Sequence, residues 1–484
     1  MVFSSHLFCF FFLPLALLVY YLLPRRARHL GLTALSYGFY GWANPAFMLL
    51  MLFSTAVDFV CGSIIAAPVR RAGGGFDRLP PGGPRSRRQR GALALSIISN
   101  LSLLGCFKYA GFAATAYNQL ATWAGGDAAQ LIGVLHITLP LGISFYTFQS
   151  MSYSIDVYRG EARALSHPID FACFVSMFPQ LVAGPILRFS EIADQLRNRT
   201  HTLEKLARGC AFFSLGLGKK VLLANPCGEV ADLVFAAADR LPVDAWYGCL
   251  AYAFQIYFDF SGYSDMAIGL GLMLGFVFPK NFDAPYRATS ITDFWRRWHL
   301  SLSHFLRDYL YIPLGGNRRG TVRTYGNLMV VMLLGGLWHG AAWTFIAWGG
   351  VHGLLLAGER LGGGARAWAP VPRPLRIALV FLAVALGWVL FRSPTLVDAM
   401  AFFGSMLGLN ATAASAELVR GMLYRPYDLS AMALAALTVW ALPQTWDFTR
   451  RLSAWRIAWC LIVFLLALAA METQGYNPFI YFIF

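Results

Sequence analysis

Two histidines and two carboxylates lie where this chain otherwise avoids ionisable side chains. His339 sits within residues 328–357, a run whose one other ionisable group is His352. An imidazole in such surroundings is expensive to desolvate and is kept for a reason: a hydrogen bond between packed helices, or proton transfer. Gly335 and Gly336 precede it, and paired glycines let backbones approach closely or let a helix break. His352 follows thirteen residues later and, at about 100° per residue, faces largely away from His339 on an unbroken helix. Of the two, His339 is the favoured functional group.

The carboxylates belong to residues 255–265, with Gln255, Asp259 and Tyr263 on one helical face and Ser261 and Asp265 on another. Embedded in apolar flanks, Asp259 and Asp265 must pair, be protonated or line water. They are therefore candidates, with Gln255 and Ser261, for a polar tunnel, or else for capping and ion pairing inside the fold.

A third stretch, residues 290–308, starts with Ser290 and Asp293 in a helix-start spacing and then mixes tryptophans, arginines and His299. It suits a helix at a membrane interface or at the mouth of an aqueous funnel. Arg296, Arg297 and Arg307 have the chemistry to hold the phosphates of a CoA or phosphopantetheine donor, and equally to reach lipid headgroups. His299 and His339, forty residues apart, can converge as a general base and the partner that orients it. Neither HxxxH nor HExxH spacing surrounds them, so a metal site is not expected, and neither a GxSxG elbow nor a phosphate-binding loop is present.

The elements that must position these groups are membrane helices. Of 484 residues, 57% are hydrophobic and 13% charged, and the apolar residues fall in runs long enough to cross a bilayer. The net charge of +15 resides in short basic loops, the pattern of the positive-inside rule rather than of nucleic-acid binding. The eight cysteines lack paired spacing, so no disulfide framework is indicated.

Residues 7–24 read as a retained first helix, followed by Arg25, Arg26 and Arg28, which place that end in the cytoplasm and the N-terminus outside. The Arg/Gly/Pro-rich loop over residues 70–90 falls on the same side and reads as flexible and cytoplasmic. Pro179 and Gly184-Pro185 break the run 169–187, and the charges of 291–314 keep it at the interface. About eleven crossings with two or three re-entrant or interfacial pieces are expected, as a single multi-spanning domain over residues 1–484. No repeat relates the halves, which weighs against transporters built from inverted repeats.

Five stretches are ordered as in one known family: PQLVAGPILRF (179–189), QIYFDFSGYSDMAIG (255–269), NFDAPY (281–286), DFWRRWHLSLSHFLRDYLYIPLGGNRRG (293–320) and GGLWHGAAWTFIAWGGVHG (335–353). They resemble the membrane-bound O-acyltransferase family, in the branch that serves alginate O-acetylation and teichoic acid D-alanylation. The terminal NPFIYFIF (477–484) is similar to that branch's terminal F-[IL]-Y-F-x-F, with Ile483 where Gln or Asn is usual. The resemblance implies an all-α polytopic enzyme of the bacterial inner membrane with a periplasmic N-terminus. His339 matches the embedded catalytic histidine and His299 the second histidine.

The resemblance also implies a cytoplasmic acyl thioester, acetyl-CoA, as donor substrate, with no permanently bound cofactor. The acceptor it implies is an exported, alginate-like polysaccharide, with a periplasmic acetyltransferase or acetylesterase-like protein as partner and no nucleic acid. Tyr481 matches a tyrosine that the family suggests as a transient acyl carrier; an aromatic anchor in membrane lipid is the alternative. D-alanyl transfer to teichoic acids, and from another class a polysaccharide export channel, are the competing functions.

Overall fold

Several helices begin where capping residues say they should. Asn44 accepts the Ala46 amide at 3.0 Å just ahead of Pro45, Ser86 and Gln89 form a reciprocal capping box, and the Ser290 hydroxyl accepts the Asp293 amide at 3.0 Å. The computed structural model describes residues 2–42, 44–125, 138–182, 184–364, 368–410 and 420–478, and every regular element among them is a helix. Among the described residues, four helices are long and apolar enough to cross a membrane: Pro45–Val69, Arg87–Trp123, Arg373–Arg392 and Ala454–Thr473. The other apolar runs are built as shorter, interrupted or more polar helices. Two compact units result, Met1–Leu206 with Leu270–Phe278, and Ala207–Gly269 with Pro279–Phe484.

The first unit carries α1 (Leu13–Leu22), α2 (Arg28–Gly41), α3 (Pro45–Ala66), α4 (Arg87–Leu104), α5 (Ala110–Trp123), α6 (Ile143–Arg159), α7 (Pro168–Ser176), α8 (Phe178–Leu181) and α9 (Phe189–Arg197). Asp58 on α3 is buried and accepts from Ser96 at 2.5 Å and Asn100 at 2.7 Å on α4, so a polar pair locks two apolar helices together. The break expected near Pro179 appears as the non-helical Met177 between α7 and α8. The arginine-rich loop, read from its composition as flexible, is instead tied down. Phe76 and Leu79 are buried, and Arg85 donates to the carbonyls of Tyr158 at 2.8 Å and Pro80 at 2.9 Å. Two apolar anchors and one guanidinium fork outweigh the Gly/Pro content.

The second unit starts with α10 (Leu203–Gly218), which passes through a π-helical turn at Lys219–Ala224 into α11 (Asn225–Ala236). There follow α12 (Pro242–Met273), α13 (Ile291–Trp295), α14 (Leu300–Leu306), α15 (Thr321–His339), α16 (Trp343–Leu361), α17 (Arg373–Arg392), α18 (Leu396–Met406), α19 (Pro426–Trp440), α20 (Thr445–Phe448) and α21 (Ala454–Thr473). Glycines set its closest approach. A Cβ on Gly216 would lie 2.6 Å from the Gly262 carbonyl oxygen, and one on Gly269 2.6 Å from that of Gly209. Thus α10 and α12 run antiparallel with their backbones touching, as small-residue packing in membranes allows.

The run 328–357 is not one long helix. It reverses at Gly340–Ala342, so α15 and α16 form an antiparallel hairpin with His339 at its tip. The glycine pair expected to permit a break lies inside α15; Gly340, with φ −157° and ψ 148°, makes the turn. Gly336 and Gly349 then let the two arms meet, since a Cβ on either would overlap backbone of the opposite arm (Phe345 and Met332). Gly349→Leu should therefore cost at least about 1–3 kcal/mol by overpacking. Its detergent-solubilised melting temperature should fall well below that of Gly358→Ala, which faces open space; equal melting temperatures would refute the contact.

Candidate active site

His339 and His299 converge. Their ring centroids lie 6.3 Å apart with planes at 60°, although one ends α15 and the other sits between α13 and α14. His299 is fully buried and adopts φ 44°, ψ 55°. That left-handed backbone costs a non-glycine residue about 1–2 kcal/mol and tends to persist where function requires it.

Three donors meet on one oxygen and fix the His299 ring. Asn281 Oδ1 takes the Ser301 hydroxyl at 2.9 Å, the Ser301 amide at 3.3 Å and His299 Nδ1 at 3.2 Å, while Asn281 Nδ2 donates to Ser264 at 2.9 Å. With Nδ1 obliged to donate, the neutral ring presents a lone pair at Nε2, which has no partner among the described residues.

Around the pair stands an aromatic wall. Trp348 lies 5.4 Å from the His339 ring and 4.9 Å from that of His352. His352 is fully buried among aromatic rings, with neither ring nitrogen hydrogen-bonded among the described residues. Its place is structural packing.

A cavity of about 310 Å³ leads from His339 past Trp348 and Leu306 to Arg307, Asn317 and Arg360. Measured along α15 from His339 to Leu328, it is roughly 16 Å deep at 1.5 Å per residue. Its outer end is cationic and hydrogen-bonding, with Arg360 donating to Asn317 at 3.3 Å. Beyond the hairpin tip lies a second cavity of about 210 Å³, lined by Gln255, Thr344, Phe345, Phe391, Arg392 and Pro478. Phe391 separates the two, 5.3 Å from the His339 ring and 4.8 Å from that of Phe345.

Other residues singled out from the sequence are distributed as follows. Arg307 lines the first cavity and is held at 2.7 Å by Asp308. Arg297 is engaged by Asp293 at 2.7 Å and the Asp283 carbonyl at 3.2 Å, and Arg296 is exposed. Gln255 reaches the second cavity. Asp265 accepts from Lys219 and Thr445, both at 2.6 Å, Asp259 pairs with Lys220 at 2.5 Å, and Ser261 is buried nearby. Tyr481 lies outside the described residues. Sequence reasoning missed Lys219, Lys220, Asn281 and Arg360. The two lysines had a signal, standing mid-run in residues 207–236 as conspicuously as the carboxylates stand in theirs.

Residues 159–393 match the membrane-bound O-acyltransferase family. Over 406 residues, the chain is 50% identical to a probable alginate O-acetylase of Azotobacter vinelandii, covering 84% of this chain and 78% of the relative. A peptidoglycan O-acetyltransferase of Helicobacter pylori is 38% identical, covering 85% of this chain and 80% of its own length. A teichoic acid D-alanyltransferase of Streptococcus thermophilus is 31% identical, over 44% of this chain and 55% of the relative. The chain belongs to the membrane-bound O-acyltransferase family. It is a multi-pass membrane protein and an O-acyltransferase, all-helical in its described residues.

In this acyltransferase, the lock on His299 is directly testable. Asn281→Ala removes the acceptor that fixes the tautomer and should lower acyl transfer by at least about tenfold, within the range for disturbing acid–base geometry. Asn281→Asp keeps an acceptor and should lose less. Equal activity of Asn281→Ala and the unsubstituted protein, at matched membrane abundance, would remove any role for the lock.

Proposed function

We propose that this protein transfers acetyl groups from a cytoplasmic thioester, acetyl-CoA, across the inner membrane for O-acetylation of an exported, alginate-like polysaccharide. One observation carries the reading. His339 stands at the inner end of a cavity whose outer end presents Arg307 and Arg360, with a second cavity just past Phe391. The arginines suit the donor's phosphates, the mainly apolar passage suits its pantetheine arm, and the thioester then meets His339. An acceptor hydroxyl arriving from the second cavity gives its proton to His339 as its oxygen bonds to the thioester carbonyl carbon. The C–S bond breaks, and the proton passes from His339 to the departing thiolate. His299, with its fixed lone pair at Nε2, orients this centre by accepting a hydrogen bond.

The relatives named for alginate and peptidoglycan O-acetylation, which match most of the chain, support acetyl transfer to a polysaccharide. The D-alanyltransferase matches less of it. In this reading the N-terminus is periplasmic, the loop over residues 70–90 is cytoplasmic, and a periplasmic acetyltransferase or acetylesterase-like protein completes the transfer. No permanently bound cofactor takes part.

His339→Ala should abolish release of free thiol from labelled acetyl-CoA, by about 100-fold or more, while the protein still accumulates in membranes. Thiol release above a tenth of the unsubstituted rate would exclude His339 as the base. Polymer export without any thiol release would favour a channel. Cleavage of a D-alanyl thioester in place of acetyl-CoA would favour teichoic acid modification.

The terminal tyrosine gives a second test. Tyr481 follows Pro478, a wall residue of the second cavity, by three residues, a reach of at most about 10 Å. We place it as the acyl relay, its phenol activated by His339. Tyr481→Phe should then lose most polymer acetylation, and acyl-tyrosine should be detectable by mass spectrometry when the acceptor is withheld. Full acetylation by Tyr481→Phe would reduce the tyrosine to an anchor.

A further inference from the structure

Lys220 and Asp259 form an ion pair at 2.5 Å in which both side chains are almost fully buried. A buried pair of this kind roughly breaks even against apolar residues of the same size, so stability alone does not account for it. The lysine has a second partner, since its ammonium also donates to the carbonyl of Pro478. Pro478 is a wall residue of the second cavity, the one beyond Phe391.

Residues 474–478 form no helix, and side chains from several elements hold them. Tyr476 donates to Asp232 of α11, whose other oxygen takes Arg392 at 2.7 Å. Asn225 donates to Gln474 at 3.3 Å and Asn477 at 3.5 Å, and Gln474 donates to Tyr427 at 2.6 Å. Lys220 supplies a charged donor to this set from inside the core. Its position on the π-helical turn, next to the Gly216–Gly262 backbone contact, brings it against α12.

We propose that Lys220, held by Asp259, is a positioning residue that moors the C-terminal segment at Pro478 against the second cavity. Acyl transfer out of the His339 site to its acceptor then depends on the mooring. The claim about transfer rests on the acyltransferase reading above; the mooring itself does not. Asp259 aims the ammonium, and the Pro478 carbonyl fixes where the chain meets the cavity wall.

The test replaces the pair without orphaning a charge, as Lys220→Met with Asp259→Leu in the full-length, detergent-solubilised protein. Chymotrypsin reports the mooring through cleavage after Tyr476, read as mass-spectrometric release of residues 477–484. The ratio of polymer acetylation to thioester cleavage reports transfer. The variant should lose the terminal peptide at least about tenfold faster, and its ratio should fall about tenfold or more. A peptide released no faster than from the unsubstituted protein overturns the mooring. Faster release with an unchanged ratio overturns the role in transfer. If the unsubstituted protein cleaves no acetyl thioester, the acyl-transfer reading fails by itself and the proteolysis still decides the mooring. Should the Met/Leu pair not accumulate, Lys220→Gln with Asp259→Asn keeps polar partners while removing the ammonium and its ion pair, and it is judged by the same two readings.

Discussion

A polar group deep in an apolar fold must find its partner within the protein, because an unmet donor or acceptor there costs roughly 1–3 kcal/mol and an unmet charge more. The second unit is laid out by that constraint. Asn281 satisfies His299, Ser301 and Ser264 at once, and Lys219 and Lys220 form ion pairs with Asp265 and Asp259. Each solution ties the loop before α13, or the turn after α10, to α12. The polar groups thereby decide which apolar helices are neighbours, a choice that lipid-like side chains alone do not make.

The hairpin of α15 and α16 is the other half of the arrangement. Reversal at Gly340 ends α15 at His339, so the imidazole sits at a helix terminus rather than midway along one long helix. Backbone contact at Gly336 and Gly349 draws the arms together, and Trp348 from the second arm packs its ring against His339. Loss of either glycine would move His339 relative to its aromatic wall. Packing and chemistry are therefore one problem at this position.

Much of this was legible in the sequence, for physical reasons. His339 stood out because imidazoles are scarce in apolar runs, His299 as a partner that could converge on it from the arginine-rich stretch, and the two do meet. The break between α7 and α8 was announced by Pro179, and Ser290 caps α13 as its spacing with Asp293 indicated. What was not legible depends on contacts distant in sequence. Asp259 and Asp265 promised a partner, but nothing local says that it is the dilysine some forty residues earlier, reached only because α10 and α12 touch at glycines. The turn at Gly340 carries no proline and looks like any other glycine in a Gly-rich run. The arginine-rich loop looked loose by composition because the buried Phe76 and Leu79 are two residues against many.

The two cavities also differ in a way that bears on direction. The first runs from guanidinium groups to His339. The second has Thr344, Gln255 and the Arg392–Asp232 pair around it, and the chain's own C-terminal segment on its wall. Between them stand Phe345 and Phe391, rings rather than hydrogen-bonding groups. Such a partition leaves His339, which lines the first cavity, one ring's width from the second, and exclusion of water by apolar rings protects an activated acyl group from hydrolysis. A polar gate would hydrate the reacting centre, whereas an aromatic one can admit an acceptor by side-chain rotation and close behind it. In the proposed transfer between compartments the two substrates must meet without a continuous aqueous path, and two phenyl rings beside His339 meet that requirement with little polar surface.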